Sequence, residues 1–216
     1  PGEYFDLLFS SPVGATLPDA NARIFIAPSD AAAVATPTVS VSDASVSETD
    51  GYLEFVVSLS APSTQNVSVN YSNSNLTAAN GSDYQALSGT LTFVPGQTTQ
   101  IVRIPVLDNA TAEATEFLTL NLGSAVNATI VRQYGWGSIA DNDATTGAPA
   151  LSVGDGIVDE ATGRVAFTVT LDKPSTSQVS VNYATADGTA TSKGGDYEAQ
   201  AKQTLVFAPG EVSKTV

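Results

Sequence analysis

The chain has 216 residues, of which 42% are hydrophobic, enough to build one large or two small packed domains. It contains no His and no Cys, which excludes a Ser-His-Asp triad, a cysteine nucleophile, a disulfide framework and a His- or Cys-ligated zinc or haem site. The formal net charge of −14 makes nucleic acid and anionic membrane surfaces poor partners, and no apolar run is long enough to insert into a membrane.

One sequence pattern recurs along the chain with a period of roughly 112 residues. Glu48 matches Glu160 at a spacing of 112 residues. Asp83 matches Asp196 at a spacing of 113, because the second copy has one extra residue before Asp196. In chain order, the pattern predicts the C-terminal half of a module over 1–30, a linker over 31–37, a complete module over 38–143, a linker over 144–149 and the N-terminal half of a module over 150–216. The half-modules, with no initiator Met and no signal peptide, indicate an excerpt from a longer chain.

Apolar residues alternate with polar ones throughout the complete module, which is typical of half-buried strands. No segment has helical periodicity over three turns. We predict seven strands, near 38–43, 52–60, 66–72, 88–94, 98–107, 115–123 and 129–140. Tyr134 and Trp136 are interpreted as strand and core residues. Turn-forming clusters at intervals of about 10–15 residues predict an all-β fold of antiparallel sandwich modules in tandem.

Several sequence segments, in a fixed order, resemble the Calx-β domain family. They are VSVSDASVSETDG, GSDYQALSGTLTFVPGQTT, IPVLDNATAEATEFLTL and SIADND. The family is known from regulatory domains of sodium/calcium exchangers, from integrin β4 and from large bacterial surface proteins. The resemblance covers nearly the whole chain, and it implies an immunoglobulin-like sandwich that binds calcium at one end, near the junction with the next module.

The resemblance also implies which residues would bind calcium. In the complete module the matching positions are Glu48, Asp83, Asp108, Glu113, Asp141 and Asp143. Further matching carboxylates in the flanking copies are Asp30, Glu160 and Asp196. We expect the first partial module to lack a full site, because Pro28 replaces an acidic residue there.

The chemistry of these residue types fits calcium, which takes six to eight oxygen ligands in irregular geometry. The candidate acids lie just outside the predicted strands, and loops at one end of an antiparallel sandwich cluster together. Asp, Asn and Gly also build ordinary turns, which is the alternative for any single loop. Asp108 and Glu113 could be posed as a glycosidase pair, but no aromatic sugar platform accompanies them in the sequence, so we expect no enzyme.

The predicted function is that of a Ca²⁺-stiffened spacer or adhesin stalk in a large secreted or cell-surface protein of bacterial type. Neighbouring modules of the same chain are the expected partners, together with a cell-surface protein or glycan. Two alternatives stay open: a calcium-regulated sensor, and an adhesive module that binds a ligand or forms filaments by pairing half-modules of different chains. Joining residue 216 to residue 1 would omit the equivalent of residues 103–113, which counts partly against such pairing.

Overall fold

A computed structural model describes residues 3–18, 20–27, 32–143, 147–159 and 163–216. Within these residues the secondary structure is β-strand, with one 3-10 turn at Glu48–Asp50, and no helix has the length and hydropathy to cross a membrane. The strands are β1 (Glu3–Val13), β2 (Asn21–Ala27), β3 (Thr38–Val41), β4 (Ala44–Ser47), β5 (Tyr52–Leu59), β6 (Val67–Asn75), β7 (Ser88–Phe93), β8 (Thr99–Pro105), β9 (Glu116–Val126), β10 (Thr129–Ile130), β11 (Tyr134–Ala140), β12 (Leu151–Val153), β13 (Gly156–Asp159), β14 (Thr168–Leu171), β15 (Val179–Asp187), β16 (Gln203–Phe207) and β17 (Ser213–Thr215).

The complete module is a sandwich of two sheets. One sheet has the order β10-β3-β5-β8, and the other has the order β4-β11-β9-β6-β7. Their inner faces share one hydrophobic core. Alternate residues of β5 face this core. Its inward side chains are all at most 1% exposed: Leu53, Phe55, Val57 and Leu59. The predicted fold class, an immunoglobulin-like antiparallel sandwich, is confirmed.

The first predicted strand, 38–43, is in fact the first part of a chain segment that changes sheets. β3 pairs with β5 in one sheet, and β4 pairs in parallel with β11 in the other. The crossing is fixed at Asp43, whose Oδ1 accepts a hydrogen bond from the Trp136 backbone N–H at 2.7 Å and pairs with the Arg132 guanidinium. Sequence alternation did not show this change, because Ser42 and Asp43 interrupt the pattern only briefly. The last predicted strand, 129–140, is likewise divided into β10 and β11.

The interpretation of Tyr134 and Trp136 as core residues is wrong. Their side chains point to the outside of the sheet and are 51% and 53% exposed. The reason lies in their neighbours on β11, which face the core where the sheets approach closely. A Cβ atom on Gly135 would lie 2.3 Å from the Ser42 carbonyl oxygen, and one on Gly137 would lie 2.4 Å from Leu53. Only glycine fits on the inner side, so the large rings occupy the outer one.

Residues 3–27 and the described part of 150–216 fold together around a second core, and we call this unit the composite module. One of its sheets has the order β13-β2-β1-β15-β16, which repeats the order β4-β11-β9-β6-β7 strand for strand. The two half-modules therefore complete each other within one chain in this structure. The predicted boundaries at 30, 37, 143 and 149 stay predictions.

The second sheet of the composite module, β12-β14-β17, is shorter than its counterpart. β14 and β17 pair over three residues, whereas β5 and β8 pair over seven. β17 is equivalent to the first part of β8 only. A cavity of about 530 Å³ lies at this place, with Phe5, Val165, Phe167, Tyr183 and Val216 among its lining residues.

The two modules are in contact through small polar side chains. Ser45 Oγ on β4 lies 3.0 Å from Thr170 Oγ1 on β14, and Ser138 Oγ donates to Ser45 Oγ at 2.8 Å. A Cβ atom on Gly154 would lie in ordinary van der Waals contact, at 3.8 Å, with the backbone of Ala44. Neighbouring modules of one chain are therefore partners of each other, as the sequence predicted.

Candidate metal centre

The predicted ligands of the complete module converge on one end of the sandwich. The first of them, Glu48, opens the 3-10 turn that joins β4 to β5. Asp50 Oδ2 accepts a hydrogen bond from the Ser47 N–H at 3.1 Å, and Gly51 ends the turn with a left-handed φ of 81°. This turn directs the Glu48 side chain inward, where it is 3% exposed. A carboxylate held in such a place needs a compensating partner.

One cluster of carboxylates lies where β11 ends. Glu48, Asp141 and Asp143 each offer an oxygen, and these oxygens lie within 4.8 Å of one another. Asp141 is 1% exposed, and its Oδ1 accepts a hydrogen bond from the Asp143 N–H at 3.0 Å. The backbone after β11 thus curls so that two acids of one loop face Glu48 from another.

A second cluster joins the loop after β6 to the loop before β9. Asp83, Glu113 and Glu116 place carboxylate oxygens within 4.8 Å of one another. Asp83 is 4% exposed, and both its side chain and its backbone are held by hydrogen bonds. Its Oδ2 accepts from the Ala79 N–H at 2.6 Å, and its backbone carbonyl accepts from the Leu107 N–H at 2.9 Å. The loop geometry therefore holds this carboxylate in place before any ion binds.

Hydrogen bonds link the two clusters into one site. The Glu113 N–H donates to Asp141 Oδ2 at 3.1 Å, so a member of the second cluster is tied to a member of the first. Asp108 lies at the edge, exposed, and accepts from Asn142 Nδ2 at 3.3 Å. It belongs to neither cluster. The structure thus places five of the six predicted residues in the clusters and the sixth beside them; their role as ligands stays a prediction.

The electrostatics of the site are those of crowded, buried carboxylates. The pKa of Glu48 is raised to about 7, first by burial and then by the negative charges of Asp141, Glu113, Asp143 and Asp108. Burial likewise raises the pKa of Glu116 to about 7, with a hydrogen bond to Asp83 and the Asp83 charge as the next causes. At neutral pH a proton and a cation therefore compete for each of these two carboxylates.

The donor set fits a hard divalent cation. Among the described residues, several buried oxygens of the site have no hydrogen-bond partner: Glu48 Oε2, Glu116 Oε2, Asn142 Oδ1 and Asp143 Oδ2. Buried polar atoms are rarely left unpaired, and an ion is one way to satisfy them. Carboxylate and amide oxygens arriving from several loops match the ligands and loose geometry that Ca²⁺ accepts. The arrangement supports the predicted cofactor, Ca²⁺.

Glu116 is a site residue that the sequence reasoning missed. The sequence places it inside the predicted strand near 115–123, and β9 begins at this residue. The signal was its position in the alternation, because Leu118, Leu120 and Leu122 are buried at the same parity. An acidic residue at a core-facing position of a strand end is unusual unless it has a partner.

The flanking copies hold less of the site. Asp196 Oδ2 accepts from the Thr191 N–H at 2.8 Å, as Asp83 does from Ala79, so the loop geometry repeats. No acidic cluster that could hold a metal occurs around Asp196 in the described part of the chain. Asp30 and Glu160 lie outside the described residues.

The fold and the site together define a protein of tandem β-sandwich modules with a carboxylate-lined metal centre at a module end. The sequence profile of the Calx-beta domain matches residues 30–138 and 141–216, and the chain belongs to this family. The resemblance drawn from the sequence motifs is thereby confirmed.

Among solved structures, the chain is similar to CBD12 from CALX1.2, with 27% identity over 83% of this chain and 74% of that one and a TM-score of 0.50. It is also similar to the apo form of the Calx CBD1 domain, with 25% identity over 49% of this chain and 97% of that one and a TM-score of 0.47. No curated protein sequence matches the chain.

Proposed function

We propose that this chain is a calcium-stiffened, non-catalytic spacer of a large secreted or cell-surface protein, of the kind that forms adhesin stalks in bacteria. The observation that carries the proposal is the pair of linked carboxylate clusters at the end of the complete module, directly before the linker to residues 150–216. A further support is the membership of the chain in the Calx-beta domain family.

The clusters would couple ion binding to rigidity. Without an ion, the carboxylates of Glu48, Glu113 and Asp141 repel one another in a poorly solvated place. Bound calcium would tie together the loop after β4, the loop before β9 and the segment after β11, which leads into the linker. At a free concentration of about 100 times the dissociation constant, one site adds roughly 2.7 kcal/mol to the stability of the folded form.

Small-angle X-ray scattering of the whole chain tests the stiffening. With calcium, the scattering is expected to fit one relative arrangement of the two modules, and with EDTA it is expected to need an ensemble with a larger mean radius of gyration. Equal flexibility in both conditions would remove the spacer mechanism, although calcium could still bind.

A calcium sensor is the second candidate function, and the similarity to CBD12 from CALX1.2 over both modules favours it. The two functions differ in affinity. A sensor needs a dissociation constant in the range of about 10⁻⁷–10⁻⁵ M, whereas an extracellular staple works at about 10⁻⁴–10⁻³ M. Isothermal titration with calcium separates them.

The location and outside partners belong to the same proposal. An extracellular or cell-surface location agrees with a calcium staple, since free calcium outside cells reaches the weaker range of affinities. A cell-surface protein or glycan would be the outside partner. The charge of −14 disfavours nucleic acid, and no membrane insertion is proposed for this segment.

A further inference from the structure

The outer face of the β4-β11-β9-β6-β7 sheet carries two exposed aromatic rings. Tyr134 and Trp136 are 51% and 53% exposed and stand on the same side of β11. Positions two residues apart on a strand are roughly 7 Å apart. The two rings therefore form a short, half-exposed aromatic row on the outside of the sheet.

The row is bordered by hydroxyl and amide side chains. Across the sheet, Trp136 pairs with Thr119 and Tyr134 pairs with Asn121 on β9, and these pair in turn with Ser74 and Ser72 on β6. Asn121 Nδ2 donates to Ser74 Oγ at 2.7 Å, which holds this part of the face in order. The outward residues of β7 continue the pattern: Ser88, Thr90 and Thr92. We call this surface, from Trp136 to Thr92, the aromatic face; none of these residues is charged.

The fold does not require aromatic residues at these two positions. The composite module has the same strand order, and there the equivalents of Tyr134 and Trp136 are Asn21 and Arg23. Arg23 pairs with Asp6 at 2.9 Å and lies 4.1 Å over the ring of Tyr4. A module with this strand order thus carries polar residues at both sites, so the strand order does not depend on the two exposed rings.

We propose that the aromatic face binds a neutral oligosaccharide. The apolar C–H face of a pyranose ring stacks on an exposed aromatic ring, and its hydroxyls exchange hydrogen bonds with Ser, Thr and Asn side chains. The roughly 7 Å between Tyr134 and Trp136 lets successive sugar units meet both rings. No residue of the aromatic face is a cation, the neighbouring Arg132 is already paired with Asp43, and the net charge of −14 repels an anionic polysaccharide. This inference goes beyond the spacer role and does not use the carboxylate clusters.

The single tryptophan makes a direct test available, because Trp136 is the only Trp in the sequence and its fluorescence reports on this face alone. The whole chain is titrated with hexasaccharides of β1,4-glucose, β1,4-N-acetylglucosamine, β1,4-mannose and α1,4-glucose. At least one is expected to give a saturable change with a dissociation constant of about 1 mM or tighter. No saturable change with any of them would overturn the proposal.

Variants separate the aromatic face from the rest of the surface. Tyr134→Ala is expected to weaken binding at least tenfold, and the double change Tyr134→Asn with Trp136→Arg, measured by calorimetry, is expected to abolish it while leaving the melting temperature close to that of the parent. Phe25→Ala removes an exposed ring of the composite module and is expected to leave the affinity within twofold. Retained binding in the double variant would contradict the assignment.

Measuring the sugar affinity with calcium and with EDTA distinguishes this inference from the spacer role. The affinity is expected to be the same in calcium and in EDTA, because Tyr134 and Trp136 lie outside both clusters. Sugar binding that needs calcium and is lost with Asp141→Asn would place the sugar at the metal centre and overturn the proposal for the aromatic face.

Discussion

At the scale of single residues, the metal centre shows which positions of the site sequence motifs can predict and which they cannot. Glu48, Asp83 and Asp141 were predicted as ligands, and all three are buried and clustered. Glu116 was not predicted as a ligand because its motif was assigned to a strand. The one sign that its side chain faces the core is that it lies two residues before the buried Leu118. Asp108 was predicted alongside the others but is exposed at the edge of the site, where it accepts a hydrogen bond from Asn142. Burial of an individual carboxylate depends on such loop geometry, which spacing alone does not determine.

The raised pKa values of Glu48 and Glu116 predict a pH dependence for the calcium-free protein. In the folded state both carboxyl groups have a pKa of about 7, against an ordinary value of 4.5. Between pH 4.5 and pH 7 the folded state therefore binds more protons than the unfolded state. Stability is therefore expected to be highest below pH 4.5 as far as these groups are concerned, and to fall as pH rises toward and through 7. Thermal melts in EDTA at pH 5 and pH 8 measure this.

The Glu116→Gln variant identifies the source of that dependence. In EDTA at pH 8, removing one buried charge is expected to raise the melting temperature by about 2–4 °C, and the fall between pH 5 and pH 8 is expected to be smaller. Glu54→Gln, which alters a surface glutamate paired with Arg103, serves as the control and is expected to change little. A Glu116→Gln variant that melts lower than the parent in EDTA would show that this carboxylate is not strained.

At the scale of elements, alternation predicts strands well but not the sheet to which they belong. The core-facing residues of β5 and β8 follow the period of two and are buried as expected. The switch of the chain from β3 to β4 depends on a long-range contact, the hydrogen bond from the Trp136 N–H to Asp43. The outward orientation of Trp136 depends on the close packing at Gly135 and Gly137. Neither is a local property of the sequence.

The Asp43 contact recurs in the composite module and gives a matched pair of variants. Asp155 Oδ1 accepts from the Arg23 N–H at 2.7 Å, at the positions equivalent to Asp43 and Trp136. Asp43→Ala is expected to destabilise the complete module by about 1–3 kcal/mol, because the Trp136 backbone N–H loses its charged hydrogen-bond partner, and Asp155→Ala is expected to do the same to the composite module. Differential scanning calorimetry can assign each effect to its own transition. If both variants lowered the same transition equally, the two modules would be a single cooperative unit.

At the scale of the whole molecule, the chain consists of two sandwiches with the same strand order and different contents. The complete module has both carboxylate clusters and the aromatic face, whereas the described part of the composite module has neither. The sequence repeat predicted the common architecture. It did not predict that residues 3–27 would supply β1 and β2 to the core of the last segment, because strand order alone allows the same pairing between separate chains.

The measurement that tests the central claim most directly is a calcium titration of the melting temperature of the whole chain, beginning in EDTA. A saturable rise of about 10–20 °C in the transition of the complete module is expected at free calcium of about 100 times the dissociation constant. The rise is expected to be lost with Asp141→Asn or Asp83→Asn and kept with Glu54→Gln. A melting temperature that does not respond to calcium, or a response that survives both aspartate substitutions, would contradict a calcium-stiffened module and leave the buried acids as parts of turns.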